Sequence, residues 1–293
     1  MIMTIKKPSQ QFILTLLLLS WLGLRGAEPL TWQAGETLNH QHKNWLDISS
    51  SETLLQVRSS GYVLQLDAKR NYILNDFYET TNNWQLLENI SFSLAGQQGA
   101  TQMETYCGNR VTELQLELQE HAVELIIKQT WPMLQLTKCW SFYQQQPFVR
   151  LIYKITMSAD WQCGRATLNL VTASGMQAVA YHANEVVNYR ANTGATWFNL
   201  PRSDQQRWLG YVNDNNSAGV ALIGADPWNW QELPGQLLSS ARKDGGFSVE
   251  LIKWGKQELR PGDQTTINIF LAPFTGSAGD QGPALQQQIA PGF

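Results

Sequence analysis

The chain has 293 residues, a net charge of −3 and only 15% charged side chains, against about 25% in a typical soluble protein. No basic block is present to meet phosphates, so a nucleic-acid partner is excluded. Gln, Asn, Ser and Thr stand where charges usually do, which suits a secreted surface and equally suits sugar hydroxyls.

The first residues read as a targeting segment. Lys6 and Lys7 precede an apolar run from Phe12 to Leu24, "FILTLLLLSWLGL". The run is too short to span a bilayer comfortably, since spanning takes about 20 residues. Residues 1–27 are therefore expected to be a signal peptide, and 28–293 a single mature β-sandwich domain, secreted or periplasmic. Arg25 departs from the usual cleavage pattern before Ala27, so an uncleaved N-terminal anchor is the alternative. No second apolar run approaches membrane length, and no membrane span is expected in the mature chain.

His40-Gln41-His42 places two imidazoles on one side of an extended segment. Zinc needs a third and usually a fourth ligand, and no CxxC or HExxH motif supplies them. The pair is read as surface histidines, with no metal and no cofactor expected. "ETLLQVRS" and "GYVLQLDA" meet at Ser59-Ser60-Gly61, a hairpin turn. Short helices are expected near Leu86 and in "GPALQQQIA" at the C-terminus.

From there the period is two. Leu114, Leu116 and Leu118 alternate with Glu113, Gln115, Glu117 and Gln119, which marks a strand with one wet face. "HAVELIIKQTW", "LQLTKCWSFY", "PFVRLIYKITM", "ATLNLVT" and "AGVALIG" follow. In the third of these, Val149, Leu151, Tyr153 and Ile155 share a face. Many closely spaced strands with few helices imply an all-β fold, a large antiparallel β-sandwich. Cys107, Cys139 and Cys163 permit one disulfide, whose pairing spacing alone does not assign. All three are read as structural or incidental.

"YHANEVVNYR", Tyr181 to Arg190, is the densest polar stretch. Read as one extended segment, it puts His182, Asn184, Asn188 and Arg190 on a common face. An imidazole can move protons near neutral pH, and amides with a guanidinium can hold hydroxyls or a carboxylate. Five of the 12 tryptophans fall between Trp197 and Trp254. Trp228 and Trp230, in the turn-forming "DPWNW", are the pair expected to offer flat faces to a sugar. Glycoside hydrolysis needs two facing carboxylates, and spacing cannot show such facing.

"FSVELIKWGKQELRPGDQTTINIFLAPF", from Phe247 to Phe274, reads as strand, turn, strand. Together with "WLGYVNDNNSAGVALIG" it resembles the galactose mutarotase-like supersandwich superfamily, which includes aldose epimerases and β-domains of polysaccharide-active enzymes. In the epimerases a catalytic Glu strand precedes an L-x-P-G-E/D turn. Glu250 stands in that place before Leu259-Arg260-Pro261-Gly262-Asp263. His182 matches the family's histidine in type only, being followed by Ala183-Asn184-Glu185. The resemblance implies a carbohydrate partner. In an aldose epimerase-like enzyme, Glu250 would be the general base on the anomeric hydroxyl and His182 would protonate the ring oxygen. Asn184, Arg190 and a tryptophan would orient the sugar.

Two other readings remain at this level. Tyr181, His182, Asn184, Tyr189 and Arg190 also supply the residue types of a polysaccharide lyase acting on uronates. A non-catalytic periplasmic or surface module binding glycan or protein needs only the Trp-lined groove.

Overall fold

The computed structural model describes residues 29–293, apart from 107, 183–184, 190–197, 200–207, 214–216, 225–235, 242–245 and 290–293. For 177–182, 185–189, 198–199, 208–209, 224, 236–241, 278–279, 283 and 286 it describes the backbone alone.

Strands are numbered in chain order. The ten-stranded sheet runs β1 (Leu30–Trp32), β9 (Arg110–Leu118), β10 (Ala122–Thr130), β11 (Leu134–Tyr143), β12 (Val149–Met157). It continues through β22 (Gln264–Thr275), β18 (Ala218–Gly224), β17 (Trp208–Asn213), β14 (Met176–His182) and β15 (Glu185–Tyr189). The twelve-stranded sheet runs β16 (Phe198–Asn199), β19 (Gln236–Ala241), β20 (Phe247–Trp254), β13 (Trp161–Thr172), β7 (Trp84–Gly96). It continues through β6 (Ile73–Glu79), β5 (Tyr62–Asp67), β4 (Leu54–Arg58), β3 (Leu46–Ser50) and β2 (Leu38–His42). Beside that path, β21 (Gln257–Leu259) pairs with β13 and β8 (Thr101–Met103) with β7. The two sheets are antiparallel and stack as the expected all-β sandwich. Among the described residues the one α-helix is α1 (Ala278–Ile289). No described helix is long and apolar enough to cross a membrane.

Alternation builds the core. Val149, Leu151, Tyr153 and Ile155 of β12 are buried on one face, as their period of two requires. Facing them from the other sheet are Leu64, Phe92, Leu168 and Leu251, all in the same apolar cluster. Each such side chain stabilises the fold by about 1.5–3 kcal/mol through burial. A second cluster lies on the outer face of the ten-stranded sheet. There Leu285 and Ile289 of α1 cover Val212, Ile223, Phe270 and Phe274. Gly219 lets β17, β18 and β22 close up, since a Cβ there would sit 2.3 Å from the Tyr211 carbonyl oxygen.

The C-terminal helix forms over the expected segment. The helix expected near Leu86 does not: those residues open strand β7. The register slips where β7 meets β6 and again where it meets β13. Leu86 and Leu87 are consequently both buried, and with Ile90 they mimic helical spacing. The stretch after Trp254 also holds an extra short strand, β21. The Pro261-Gly262 turn behaves as its residues dictate. Gly262 takes φ +93°, and Asp263 N–H donates to Arg260 O at 3.0 Å. Met157 N–H donates to Asp263 O and Gly262 N–H donates to Met157 O, both at 2.9 Å, which pins the turn to the end of β12.

Candidate functional site: the outer face of the twelve-stranded sheet

On β20, β13 and β7 the inward residues are apolar, so the alternate positions must face out. Val249 and Leu251 are core residues, and Glu250 between them points away. Its register partner is Asn169, whose partner in turn is Ser91. Asn169 Nδ2 donates to Ser93 Oγ at 2.9 Å. Arg165, four residues before Asn169 on β13, reaches Glu250. Its Nη1 lies 2.8 Å from Oε2, and Nη2 donates to Oε1 at 3.4 Å. Glu250 is 14% exposed and thus largely covered, while Arg165 stays 46% exposed.

The same face continues across β6, β5, β4, β3 and β2. Asp76, Gln65, Gln56, Ser49 and Asn39 are successive register partners, forming a row transverse to the strands. The core residues Leu55, Val57, Leu64 and Leu66 flank Gln56 and Gln65 and fix their outward direction. Gln65 Nε2 donates to Gln56 Oε1 at 3.0 Å. Asp76 accepts from Asn75 Nδ2 and Gln85 Nε2, each at 2.5 Å. Burial pushes the Asp76 carboxyl above its ordinary range; hydrogen bonds from Gln85, Tyr78 and Asn75 oppose that, and the charge of Glu88 adds to it. The Tyr78 hydroxyl is raised as well, by burial and by the Asp76 charge.

The sequence-derived candidates fare differently. Glu250 lies on this face but is engaged by Arg165. His182 lies at the end of β14, in the other sheet, and its side chain lies outside the described residues. The structure therefore does not bring His182 and Glu250 onto one sheet. The single extended reading of Tyr181–Arg190 is corrected. His182 pairs with Glu185 across a β14–β15 hairpin, so the alternation breaks between them. Asn184, Arg190, Trp228 and Trp230 fall outside the described residues. Trp254 is a core residue.

His40 and His42 do share a side of β2, with ring centroids 6.2 Å apart. His42 is nevertheless buried rather than on the surface, and the edge of Trp45 packs on it at 5.5 Å. Burial lowers its pKa. Among the described residues no cluster of three His, Cys, Asp or Glu could hold a metal ion. Cys139 and Cys163 are buried free thiols on different sheets.

Sequence reasoning assigned no role to Asn169, Arg165, Asp76, Gln65 or Gln56. Their signal was present in "LLQVR" and "YVLQLD", where a single Gln interrupts an apolar strand. Only cross-strand register reveals that these glutamines line up.

No family model matches the sequence, and a search of curated proteins finds no match. Solved structures do match. A TPR-domain containing protein from Parabacteroides distasonis superposes with a TM-score of 0.54 at 9% identity, over 84% of this chain and 54% of that one. A galactose mutarotase-like protein from Lactobacillus casei superposes with a TM-score of 0.50 at 9% identity, over 75% of this chain and 100% of that one. A GH36 α-galactosidase from Geobacillus stearothermophilus superposes with a TM-score of 0.49 at 10% identity, over 76% and 41%. The chain spans about half of the first of these proteins. The chain has the galactose mutarotase-like fold. At such identities the likeness concerns the fold alone.

Proposed function

We propose that this protein binds carbohydrate on the outer face of its twelve-stranded sheet and acts outside the cytosol. The observation that carries the reading is the transverse row of Asp76, Gln65, Gln56, Ser49 and Asn39, with the separate group of Ser91, Ser93 and Asn169 on the same face. Planar amides and carboxylates can each bond two neighbouring hydroxyls, and here their planes are held by bonds to one another. The outer face of the ten-stranded sheet differs in character. It carries the ion pair of Glu113 and Lys128, with Glu124 accepting from Ser141 Oγ and Arg150 donating to Asn268 Oδ1. Within the row Asp76 is the one charged group among amides and hydroxyls, which favours a polyhydroxylated ligand over a strongly ionic one. The apolar run Phe12–Leu24 supports export to the periplasm or beyond.

Binding is favoured over epimerase chemistry because Arg165 holds the Glu250 carboxylate, which a general base on an anomeric hydroxyl would need free. Calorimetric titration with a panel of neutral oligosaccharides tests the proposal. Gln65→Ala and Asn169→Ala should each weaken the best ligand at least tenfold, with circular dichroism unchanged. A protein that binds none of the panel, or binds indifferently to both substitutions, refutes it.

A further inference from the structure

Where the row's strands β3 and β4 reach one end of the sandwich, a cleft of about 500 Å³ opens. Three hairpin turns enclose it: β2–β3, β4–β5 and β11–β12. Its walls include Asn44, Trp45, Asp47, Arg58, Gln144 and Gln145. The volume falls within the roughly 300–1,000 Å³ typical of small-ligand sites.

The charged pair in this cleft is unusual for the molecule. Asp47 and Arg58 are direct register partners on β3 and β4. Opposite charges so placed ordinarily close on each other, as the register partners Lys128 and Glu113 do at 2.9 Å. Among the described residues, Asp47 and Arg58 form an ion pair neither with each other nor with anything else. A guanidinium with forked donors and a carboxylate with forked acceptors thus stand side by side, both open to the cleft. Their charges cancel, which disfavours a strongly ionic ligand.

The other walls are held in place. Trp45 is braced by the core cluster and by the His42 ring, so one indole surface lines the cleft without freedom to fold away. Gln144 is oriented by His121, whose Nδ1 lies 2.9 Å from its Oε1. Gln145 takes φ +64°, a left-handed shape that a side chain rarely adopts without a reason. Ser59, by contrast, is committed to its own turn, where its Oγ accepts from Gly61 N–H and Tyr62 N–H.

We propose that this cleft binds one neutral sugar unit, with Arg58 and Asp47 bonding adjacent hydroxyls and Trp45 forming the apolar wall. This is a second site on the same face: Asp47 and Arg58 stand two residues along from Ser49 and Gln56, at the end of β3 and β4, and either site could exist without the other. It places a terminal sugar at the end of the sandwich, where a glycan end would meet the protein.

The test is a titration of the full secreted chain with methyl glucoside, methyl galactoside, methyl mannoside and galacturonate. The indole N–H resonance of Trp45, assigned by its loss in Trp45→Phe, reports binding. A saturable shift with at least one neutral glycoside is expected, with Arg58→Gln and Asp47→Asn each weakening it at least tenfold. Both residues are exposed, and an unchanged amide spectrum confirms that the variants fold. A response to galacturonate alone overturns the neutral-sugar assignment. No response to any probe overturns the site. Loss of the shift in Asn169→Ala but not in Arg58→Gln would move the sugar to the sheet face and overturn the cleft while sparing the other proposal.

Discussion

Lys138→Met tests the central electrostatic feature of the interior. Lys138 and Glu104 form an ion pair with both side chains fully buried between the sheets. The ammonium also donates to Asn71 O at 3.0 Å and Tyr72 O at 2.6 Å, which satisfies its three protons. Glu104 accepts in addition from Phe92 N–H at 2.9 Å, Gln129 Nε2 at 3.0 Å and Tyr153 Oη–H at 3.3 Å. Gln129 in turn accepts from Trp131 Nε1 at 3.0 Å. Asn71 and Tyr72 sit at φ +58° and +55°, so the network also holds a left-handed bend that asparagine tolerates but Tyr72 would not choose alone.

Methionine nearly matches the volume of lysine, which leaves the loss of charge as the main perturbation. It strips Glu104 of its counter-ion and Tyr72 O of the ammonium donor, while Asn71 O keeps Gln129 Nε2 at 2.9 Å. Breaking one side of a buried pair costs about 3–5 kcal/mol. At roughly 2–4 °C per kcal/mol for a domain of this size, the melting temperature should fall by roughly 6–20 °C. The variant also acquires a pH signature. An unpaired buried carboxylate has its pKa raised, so its folded form holds a proton that the unfolded form releases. Stability is then retained below the unfolded carboxylate pKa of about 4.3 and lost as pH rises through the higher folded value. Urea denaturation at pH 5 and pH 8 should show the deficit growing with pH, and Lys138→Met/Glu104→Gln should recover part of it. A Lys138→Met protein within 1 kcal/mol of the parent at pH 8, with no pH dependence in the difference, would refute the reasoning.

Gly219→Ala should be severely destabilising, by about 1–3 kcal/mol or more, because the new methyl meets the Tyr211 carbonyl oxygen at 2.3 Å and the Phe274 ring at 2.6 Å; thermal melting reads it directly. Burial pushes the Cys139 thiol up to about 12 and the Cys163 thiol up to about 11, so a thiol reagent at pH 8 should leave both intact until urea is added. Those raised thiols, and the raised Tyr62 and Tyr153 hydroxyls, keep their protons in the folded state, so stability should fall as pH rises from about 9; Lys138, lowered by burial, acts with the opposite sign but is outnumbered. Urea midpoints between pH 8 and 11 check this. Arg165→Ala should change stability by less than about 1 kcal/mol, because the guanidinium is nearly half exposed. Polarimetry should find no acceleration of sugar mutarotation; acceleration that Glu250→Gln removes would show that Arg165 does not withhold the carboxylate from catalysis.

The strands were legible because each obeys a local period. Val149 to Ile155, the Ser59–Gly61 turn and the Pro261-Gly262 turn needed only neighbouring residues to be read. The false helix at Leu86 marks where that logic ends, since a bulge is a relation between strands and leaves two adjacent apolar residues looking helical. The site was less legible for the same reason. Gln56, Gln65 and Asp76 are separated by turns in the chain and become neighbours only through register. The turn after it marks Glu250 in the sequence, but its partner Arg165 lies 85 positions away and carries no local sign of the contact. Nothing local to His182 announces that it pairs back with Glu185 and does not run on in one long strand.

The contrast between the two charged pairs of the twelve-stranded sheet ties these observations together. Arg165 and Glu250 are closed on each other, and Asn169 and its serines stand half-buried beside them. Asp47 and Arg58 are in direct register yet remain apart. The same sheet therefore separates polar groups that steady the surface from polar groups left to be satisfied by something else. Fields between exposed charges are weakened by water and salt, so open charges alone would be unremarkable. Placed in a cleft beside a braced indole and an amide held by His121, they acquire a direction, and direction is what a ligand with fixed hydroxyl geometry can recognise.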